Sequence, residues 1–339
     1  MAQIASAYPT AGGLYHWASI LGNRFTGWLT AWFNLLGLIF VVSAVNFGVY
    51  DPFFKTLIAP MLGVDAESLS WVHQTLFIAV VTLSQAWLNH LGIRLTTLLT
   101  DLSGYLIFVV SMVMTGSLLA FAPAPLDFGR LVQLTNFTGA EGGSWPRLES
   151  PVMVFLVGQL LVIYTLTGYD ASAHTSEETH QAAENVPKGI LRSVLVSSVA
   201  GYLMVCTFVL TLPDLGAAVK SGMGFLGILL GQLPTPLRVG LSVGIFAVNY
   251  LCGLACLTST SRMMYAFARD GGLPFSDQLK RVHDVHRTPG AAIWVCALLA
   301  ILATLYGDVF LVLSTGCAVF LYISYVLPTA AGLWAEGRH

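Results

Sequence analysis

The chain has 339 residues, of which 56% are hydrophobic and only 9% are charged, whereas an ordinary soluble domain has roughly 25% charged residues. This composition and a mean hydropathy of +0.75 indicate an integral membrane protein and exclude an ordinary soluble domain. The formal net charge of -2 provides no basic surface for nucleic acid, so we do not expect a nucleic-acid-binding protein.

Apolar segments long enough to cross a bilayer recur along the chain. A transmembrane helix needs about 20 predominantly apolar residues, and eight segments are close to that length: 27–49, 71–88, 101–122, 151–172, 189–211, 237–259, 289–306 and 309–333. The residues before them predict the end of a helix at 1–8 and a short amphipathic helix at 14–21. We therefore predict an all-α polytopic membrane protein with about eight complete transmembrane helices.

The basic residues predict the orientation of these helices, because cytoplasmic loops are enriched in Lys and Arg. If the chain crosses the membrane at each segment, ten of the 15 basic residues lie on one side. We predict that this side is cytoplasmic, with the loop 260–288 contributing half of the ten. We also expect a multi-pass protein of the plasma or cell membrane, in contact with the lipid bilayer.

The five cysteines all fall inside apolar segments, and no CxxC or Cys/His spacing of the kind that holds a metal is present. We interpret them as small packing residues. No clustered His or Cys is visible in the sequence, so we predict no metal site and no cofactor. The cysteine positions are Cys206, Cys252, Cys256, Cys296 and Cys317.

The segment 151–190 begins as a transmembrane helix and is interrupted before the bilayer is crossed. Its apolar start leads into Thr-Leu-Thr-Gly-Tyr-Asp at 165–170, where Gly168 supplies conformational freedom. Main-chain groups left unpaired at that depth are tolerated only where they are buried in protein or line a cavity. We predict a break that binds a small charged substrate; the alternative is a glycine kink that only eases helix packing.

Ionisable residues follow this break. Asp170 lies within a span, where such residues are usually functional, so we expect it to pair with a substrate ammonium group or to take part in proton coupling. The alternative is a solvated residue at a helix end. His174 is of the residue type that serves as a proton switch, or it is a surface histidine. We interpret Glu177, Glu178 and Glu184 as solvated residues in weak ion pairs, with a gate as the alternative.

Three parts of the chain resemble a known family of transporters. They are 6–17 (SAYPTAGGLYHW) with the following GWLTAWFNLLG, 168–190 (GYDASAHTSEETHQAAENVPKGI) and 261–290 (SRMMYAFARDGGLPFSDQLKRVHDVHRTPG). They resemble, in order, the end of helix two with helix three, helix six with its following loop, and the loop between helices eight and nine of amino acid permeases. These permeases belong to the amino acid, polyamine and organocation superfamily, and the likeness is strongest to its amino acid/choline branch, which includes permeases for γ-aminobutyrate (GABA) and choline.

The resemblance implies a fold of two five-helix inverted repeats, with the substrate held between broken helices one and six. Gly168 matches the glycine of the helix-six break, Thr167 the adjacent residue whose carbonyl faces the substrate, and Tyr164 an aromatic gate position. The substrate-binding residues expected on this basis are Tyr164, Thr167, Gly168, Tyr169 and Asp170. Asp170 and His174 are candidates for coupling to protons, which we favour, whereas Thr258 and Ser259 lie near a position where sodium-coupled relatives place ligands.

The resemblance also divides the chain into parts. The expected division is the end of helix two with the first cytoplasmic loop at 1–26, helices three to five at 27–122, an extracellular loop at 123–150, helices six to ten at 151–333 and a cytoplasmic end at 334–339. Helix one, most of helix two and helices eleven and twelve have no counterpart in this division. We therefore expect a fragment of a permease, with an incomplete first repeat.

These observations predict a secondary active transporter that imports an amino acid or a related amine by alternating access, driven by a cation gradient. A membrane enzyme is the alternative from another class, but the sequence contains no HExxH motif and no clustered His or Cys to support it. A channel would need a symmetric filter ring, for which we find no repeated segment. The remaining alternative is an inactive transporter fragment.

Overall fold

The computed structural model describes residues 1–65, 68–140, 145–305 and 309–336. This part of the chain is helical and contains no β strand, as the sequence predicted. The longer helices and the two at the amino end are labelled in chain order: α1 (Ala2–Ala7), α2 (Leu14–Leu21), α3 (Arg24–Gly48), α4 (Trp71–His90), α5 (Ile93–Ala120), α6 (Pro151–Tyr164), α7 (Ala182–Thr211), α8 (Thr235–Arg269), α9 (Gly290–Ala303) and α10 (Val309–Glu336).

Each predicted span coincides with one of these helices. By length and composition, five helical stretches within the described residues are long and apolar enough to cross a membrane: Arg24–Met61, Ile93–Ala120, Ala182–Thr211, Thr235–Arg269 and Val312–Ala335. The apolar helices α6 and α9 are shorter, and α4 has 20 residues. A polytopic all-α membrane protein is therefore confirmed.

Two predicted helix ends are wrong, and α5 and α7 begin earlier than predicted, at Ile93 and Ala182. Helix α8 continues to Arg269 instead of ending at 259, because residues 260–269 keep helical spacing and bury Met263, Met264 and Phe267 in the protein core. Helix α6 ends at Tyr164 instead of 172, because the chain turns at the interruption described below. The final residues of the predicted cytoplasmic end, 337–339, lie outside the described residues, as do 141–144 of the predicted extracellular loop.

The start of α3 is fixed by a reciprocal cap. The side chain of Asn23 accepts a hydrogen bond from the Thr26 N–H at 2.9 Å, and the Thr26 hydroxyl accepts one from the Asn23 N–H at 3.0 Å. A capping box of this kind pairs N–H groups that the first turn of a helix leaves without partners. It separates α2 from the long helix α3, which then passes through the middle of the bundle.

The largest apolar core surrounds α3 and joins it to α2, α8, α9 and α10. Its fully buried members include Trp17, Leu257, Met263, Ile293 and Leu321. Large apolar side chains on α5 and α7 are exposed instead, at the spacing of one helical face; on α7 they include Leu191, Leu195, Val199 and Tyr202. Exposed apolar surface of this extent marks a contact surface, and in a polytopic membrane protein the expected contact is lipid.

A buried polar seam joins α3, α4 and α8. Asn46 donates hydrogen bonds to Thr82 and to Gln85, both at 2.9 Å, and Gln85 donates to the Tyr250 carbonyl at 3.0 Å. The helices approach closely here, since a Cβ on Gly253 would lie 2.5 Å from both the Asn46 and Gln85 amides. Asn46 therefore faces the bundle interior, where it is completely buried.

Candidate functional site

The interruption of α6 is the main irregularity in the middle of the bundle. After Tyr164 the chain forms tight turns through 165–170 before a short helix at Ala171–His174. Gly168 has φ +93°, a conformation that glycine adopts without the clash of a Cβ atom. Its N–H donates to the Tyr325 hydroxyl at 3.1 Å instead of to a carbonyl of the preceding turn.

The sequence of main-chain hydrogen bonds is interrupted just before this glycine. The Thr167 N–H donates to the Tyr164 carbonyl at 3.0 Å, and the Ala171 N–H donates to the Gly168 carbonyl at 3.0 Å. Among the described residues, none of these bonds crosses the peptide link between Thr167 and Gly168. The structure therefore has the break that the sequence predicted.

The break leaves main-chain polar groups available for a ligand. In the part of the chain that the structure describes, the carbonyls of residues 165–167 accept no main-chain hydrogen bond. A Cβ placed on Gly168 would meet no atom within 4 Å, so open space adjoins the break. Unpaired carbonyls beside open space are suited to binding a cation or an ammonium group.

Asp170 lies at the centre of a buried hydrogen-bond network. Its side chain has no exposed surface. Its Oδ1 accepts from the Tyr325 hydroxyl at 2.7 Å, and its Oδ2 lies 3.3 Å from the Asn34 amide nitrogen and 3.1 Å from His174 Nε2. The alternative of a solvated carboxylate at a helix end is wrong. Because three side chains already surround this carboxylate, it has little free capacity for a substrate ammonium group in this conformation.

His174 is also completely buried, so the alternative of a surface histidine is wrong. Its Nε2 faces Asp170, whereas its Nδ1 has no hydrogen-bond partner within the described residues. A neutral imidazole with the proton on Nε2 donates to Asp170 and keeps a lone pair on Nδ1. A second proton would occupy that buried nitrogen.

Tyrosine rings form a wall beside the break. The ring centroids of Tyr169 and Tyr325 are 4.7 Å apart, and those of Tyr322 and Tyr325 are 5.3 Å apart. Tyr322 donates a hydrogen bond to the Ile163 carbonyl at 3.2 Å, and Tyr164 is half-buried against the main core. Aromatic faces at such a place attract cations.

Tyr325 and Asn34 were not predicted as site residues. They lie 155 and 136 positions from Asp170, and no local spacing reveals contacts between helices that are so far apart in the chain.

Thr258 and Ser259 do not join this network. The Thr258 hydroxyl donates to Asn89 Oδ1 at 2.7 Å and to the Leu254 carbonyl at 2.9 Å. The Arg262 guanidinium approaches the same Asn89 oxygen at 3.5 Å. Ser259 is buried on the same helix. The Thr258 hydroxyl therefore belongs to the interface of α4 and α8. Within the described residues, no hydrogen bond joins Thr258 or Ser259 to Asp170.

Charged residues at the predicted cytoplasmic side connect the segment after the break to α8. Both carboxylate oxygens of Glu177 lie 3.0 Å from Arg269 Nη1, and Glu178 lies 3.4 Å from Arg262 Nε. Glu184 makes an exposed pair with Lys188 on α7 at 3.4 Å. The first two pairs bridge separate elements, whereas the third is a pair on one helix surface.

Asp270, just past the end of α8, extends this connection to α2. Its Oδ2 accepts from the Tyr15 hydroxyl at 2.8 Å and lies 2.7 Å from His16 Nε2. Partial burial acts to raise the pKa of Asp270, but the hydrogen bonds from His16 and Tyr15 and the charge of Arg269 outweigh it, so that the pKa is lowered. The same burial and the neighbouring carboxylate raise the pKa of the Tyr15 phenol, which therefore stays a donor.

A cavity of about 350 Å³ lies away from the break, between α1, the end of α2 and the last turns of α10. None of the predicted site residues lines it. Met1, which does line it, is 3.2 Å from the Tyr169 hydroxyl. We place the candidate site at the break rather than in this cavity, because the unpaired main-chain groups are at the break.

The prediction that histidines are not clustered is wrong. His90, at the end of α4, lies beside His283 and His286 of the loop before α9, with ring centroids 5.0 and 5.4 Å away. His283 and His286 are three residues apart, but the third member is far away in the chain. The sequence therefore gives no sign of the complete group.

Comparison with known proteins gives the family. A family model described as amino acid permease matches residues 1–338. The amino-acid permease BAT1 homolog of Oryza sativa subsp. japonica is 32% identical over 100% of this chain and 68% of the rice protein. Amino-acid permease BAT1 of Arabidopsis thaliana is 30% identical over 97% of the chain and 66% of that protein. An uncharacterized amino-acid permease of Schizosaccharomyces pombe is 28% identical over 97% of the chain and 59% of its own length.

These relatives are named permeases, which confirms the prediction of a transporter family rather than an enzyme. The chain spans about two thirds of the length of the plant relatives. The division into repeats and the closer likeness to GABA and choline permeases stay predictions. The all-α polytopic fold, the resemblance in three sequence blocks and the match over nearly the whole chain lead to one conclusion: this chain belongs to the amino acid permease family.

Proposed function

We propose that this chain forms the substrate-binding part of a secondary active transporter for an amino acid or a related amine. The observation that carries the proposal is the break at Gly168: in the described part of the chain the carbonyls of residues 165–167 accept no main-chain hydrogen bond, and open space adjoins Gly168. Transporters place substrate at such discontinuous helices. The membership in the permease family supports the same assignment.

The chemistry of the break favours an α-amino acid or GABA over choline. The carbonyls of Thr165, Leu166 and Thr167 can accept hydrogen bonds from an ammonium group, and the tyrosine wall can stabilise its charge. Choline has no N–H group for those carbonyls to bind. The substrate carboxylate would be bound by N–H groups, for which the amides of Tyr169 and Asp170 are candidates, since they donate no main-chain hydrogen bond among the described residues.

Proton coupling is proposed for the Asp170–His174 pair. Both side chains are completely buried, and the second nitrogen of His174 has no partner. Two interacting buried groups take up protons as a unit, and a change in their charge changes the cost of burying them. The protonated and deprotonated states of this pair would therefore favour different conformations of the protein. Sodium coupling through Thr258 and Ser259 is the alternative, for which their hydroxyls offer oxygen ligands.

Closure on the cytoplasmic side is proposed for the Glu177–Arg269 and Asp270–Tyr15 contacts. These contacts connect α2, the segment after the break and the end of α8. Alternating access requires that such contacts separate when the site opens to that side. The exposed Glu177–Arg269 pair can separate at a small cost in free energy, because surface ion pairs contribute only about 0–1 kcal/mol. We propose the plasma membrane as the location.

The test is uptake by the purified chain in proteoliposomes, with labelled amino acids, GABA and choline at several internal and external pH values. We expect uptake of an amino acid or GABA that increases with an inward proton gradient. The Gly168→Ala substitution would force an alanine into a left-handed backbone conformation, which costs about 1–2 kcal/mol. We therefore expect uptake to fall. Gly158→Ala is the matched control, because it lies in the same helix and its Cβ would meet nothing within 4 Å.

Asp170→Asn tests the coupling residue separately. We expect insertion and folding to be kept and the pH dependence of uptake to be lost, because an amide cannot exchange a proton with His174. Unchanged pH dependence in this variant would remove Asp170 from coupling. Failure of the unaltered chain to take up any of these substrates, in a preparation that is monodisperse and folded, would contradict the proposed function and favour an inactive fragment.

A further inference from the structure

We propose that His90, His283 and His286 form a binding site for a divalent transition-metal ion such as Zn²⁺ on the predicted cytoplasmic surface. Each imidazole offers one nitrogen, and these three nitrogens lie within 4.8 Å of one another. Imidazole is a preferred ligand of zinc, copper and nickel ions. Three protein nitrogens would leave a fourth tetrahedral position for water.

The spacing needs only a small adjustment to hold a metal. Zinc binds imidazole nitrogen at about 2.0–2.1 Å, so three nitrogens around one tetrahedral ion lie about 3.3 Å apart. Starting from separations of at most 4.8 Å, side-chain rotations that move each nitrogen by ~1 Å suffice. His283 is exposed and the other two rings are half-buried, so there is room for these rotations and for entry of an ion.

The loop that carries His283 and His286 is attached to the end of α4. The Thr288 hydroxyl donates to the His90 carbonyl at 3.1 Å, and the His283 N–H donates to the Thr288 carbonyl at 2.8 Å. The Arg287 N–H closes the loop on the His283 carbonyl at 2.8 Å. The three rings are therefore brought together by main-chain contacts, before any metal is bound.

His90 provides an independent sign that a ligand is missing. Its Nδ1 is buried and has no hydrogen-bond partner within the described residues. The ring fits against Gly290, where a Cβ would lie 3.1 Å from Cε1 and 3.3 Å from Nδ1. An imidazole that makes no hydrogen bond to protein is not committed to either tautomer, and its Nε2 or Nδ1 can bind a metal.

His283 would give up only long hydrogen bonds if it bound a metal ion. Its Nδ1 accepts from the Val285 and His286 N–H groups, both at 3.3 Å, which is long for a hydrogen bond. Binding of a metal through Nε2 would place the ring proton on Nδ1, which could then no longer accept, so these two long contacts would be lost. The adjacent Asp284 reduces the positive charge that Arg281 and Arg287 bring to the loop.

The test is metal binding by the purified full chain without an affinity tag, measured by titration calorimetry with ZnCl₂ and by absorption spectroscopy with CoCl₂. We expect one ion per chain and the visible bands of tetrahedral Co²⁺. Two loop variants, His283→Ala and His286→Ala, should each weaken Zn²⁺ binding at least tenfold and abolish the Co²⁺ bands. The matched control is His180→Ala, which removes another exposed histidine outside the cluster and should bind as the unaltered chain does.

Two outcomes would overturn the proposal. The first is that the folded, unaltered chain binds neither ion at micromolar concentrations. The second is that both loop variants keep the affinity of the unaltered chain, since the metal would then be bound elsewhere. Both loop residues lie outside the core, so their variants are expected to keep the thermal unfolding midpoint, which serves as the check on folding.

Discussion

Tyr325 donates a 2.7 Å hydrogen bond to Asp170 and thereby attaches α10 to the interrupted helix. The same hydroxyl accepts from the Gly168 N–H at 3.1 Å, so one oxygen serves both the carboxylate and the break. A hydroxyl can act as donor and acceptor at once, which a phenylalanine at this position cannot do.

Tyr325→Phe should therefore destabilise the break. It would leave the Gly168 N–H without its acceptor and Asp170 with one donor fewer, and an unsatisfied buried group costs about 1–3 kcal/mol. We expect a lower unfolding midpoint in detergent and reduced uptake. Tyr322→Phe is the control, because the Ile163 carbonyl that Tyr322 contacts also accepts from the Leu166 N–H at 3.0 Å. Equal effects of the two variants would contradict this role of Tyr325.

Gly253→Ala should disrupt the polar seam between α3, α4 and α8. The new Cβ would lie 2.5 Å from the amides of Asn46 and Gln85, so these side chains would have to move and give up their mutual hydrogen bonds. Overpacking of this kind costs about 1–3 kcal/mol. Gly240→Ala on the same helix would meet no atom within 4 Å and should be neutral or slightly stabilising. Thermal unfolding of both variants is the measurement, and equal midpoints would show that the seam can relax.

Glu177 and Arg269 should be energetically coupled. We expect Glu177→Gln and Arg269→Gln to have non-additive effects in a double-mutant cycle, with a coupling energy of about 0.2–1 kcal/mol, as is usual for exposed ion pairs. The cycle is measured by thermal unfolding at low salt and repeated at high salt, where screening should reduce the coupling. The Glu184–Lys188 pair serves as a reference on a single helix. Additive single effects would mean that the contact contributes nothing to closure.

The contact of Asp270 with Tyr15 and His16 should be lost in acid. Because the pKa of Asp270 in the folded protein is lowered, ionised Asp270 contributes stability above its ordinary pKa of about 3.9. That contribution decreases as the pH falls through the lowered value. We therefore expect the unaltered chain to have a higher thermal unfolding midpoint than Asp270→Asn at pH 6. The difference between the two midpoints should become smaller below about pH 4. A difference that grows in acid would contradict the assignment.

The sequence predicted the structural elements that are determined by residues close to one another in the chain. Long apolar segments gave the positions of the transmembrane helices, and Gly168 within one of them gave the break. The carboxyl end of α8 was missed, because residues 260–269 include hydroxyl and basic side chains that lower the hydropathy while still packing against protein. In a membrane protein, burial against other helices is not visible in hydropathy.

The contacts between distant parts of the chain could not be predicted. Asp170 was predicted as a functional ionisable residue within a span, but its partners Asn34 and Tyr325 are on helices that come before and after it. The group of His90, His283 and His286 was missed for the same reason. Each such contact depends on how the helices pack, and no pattern within a single segment specifies that packing.

The absence of a main-chain hydrogen bond across Thr167–Gly168 has a mechanical consequence. In a continuous helix each turn is bonded to the next, so torque applied at one end is carried to the other. Among the described residues the ladder ends at Thr167, so no main-chain hydrogen bond carries a rotation of α6 about its axis to residues 171–174. The Tyr325 hydroxyl instead holds the chain after the break, through the Gly168 N–H and Asp170.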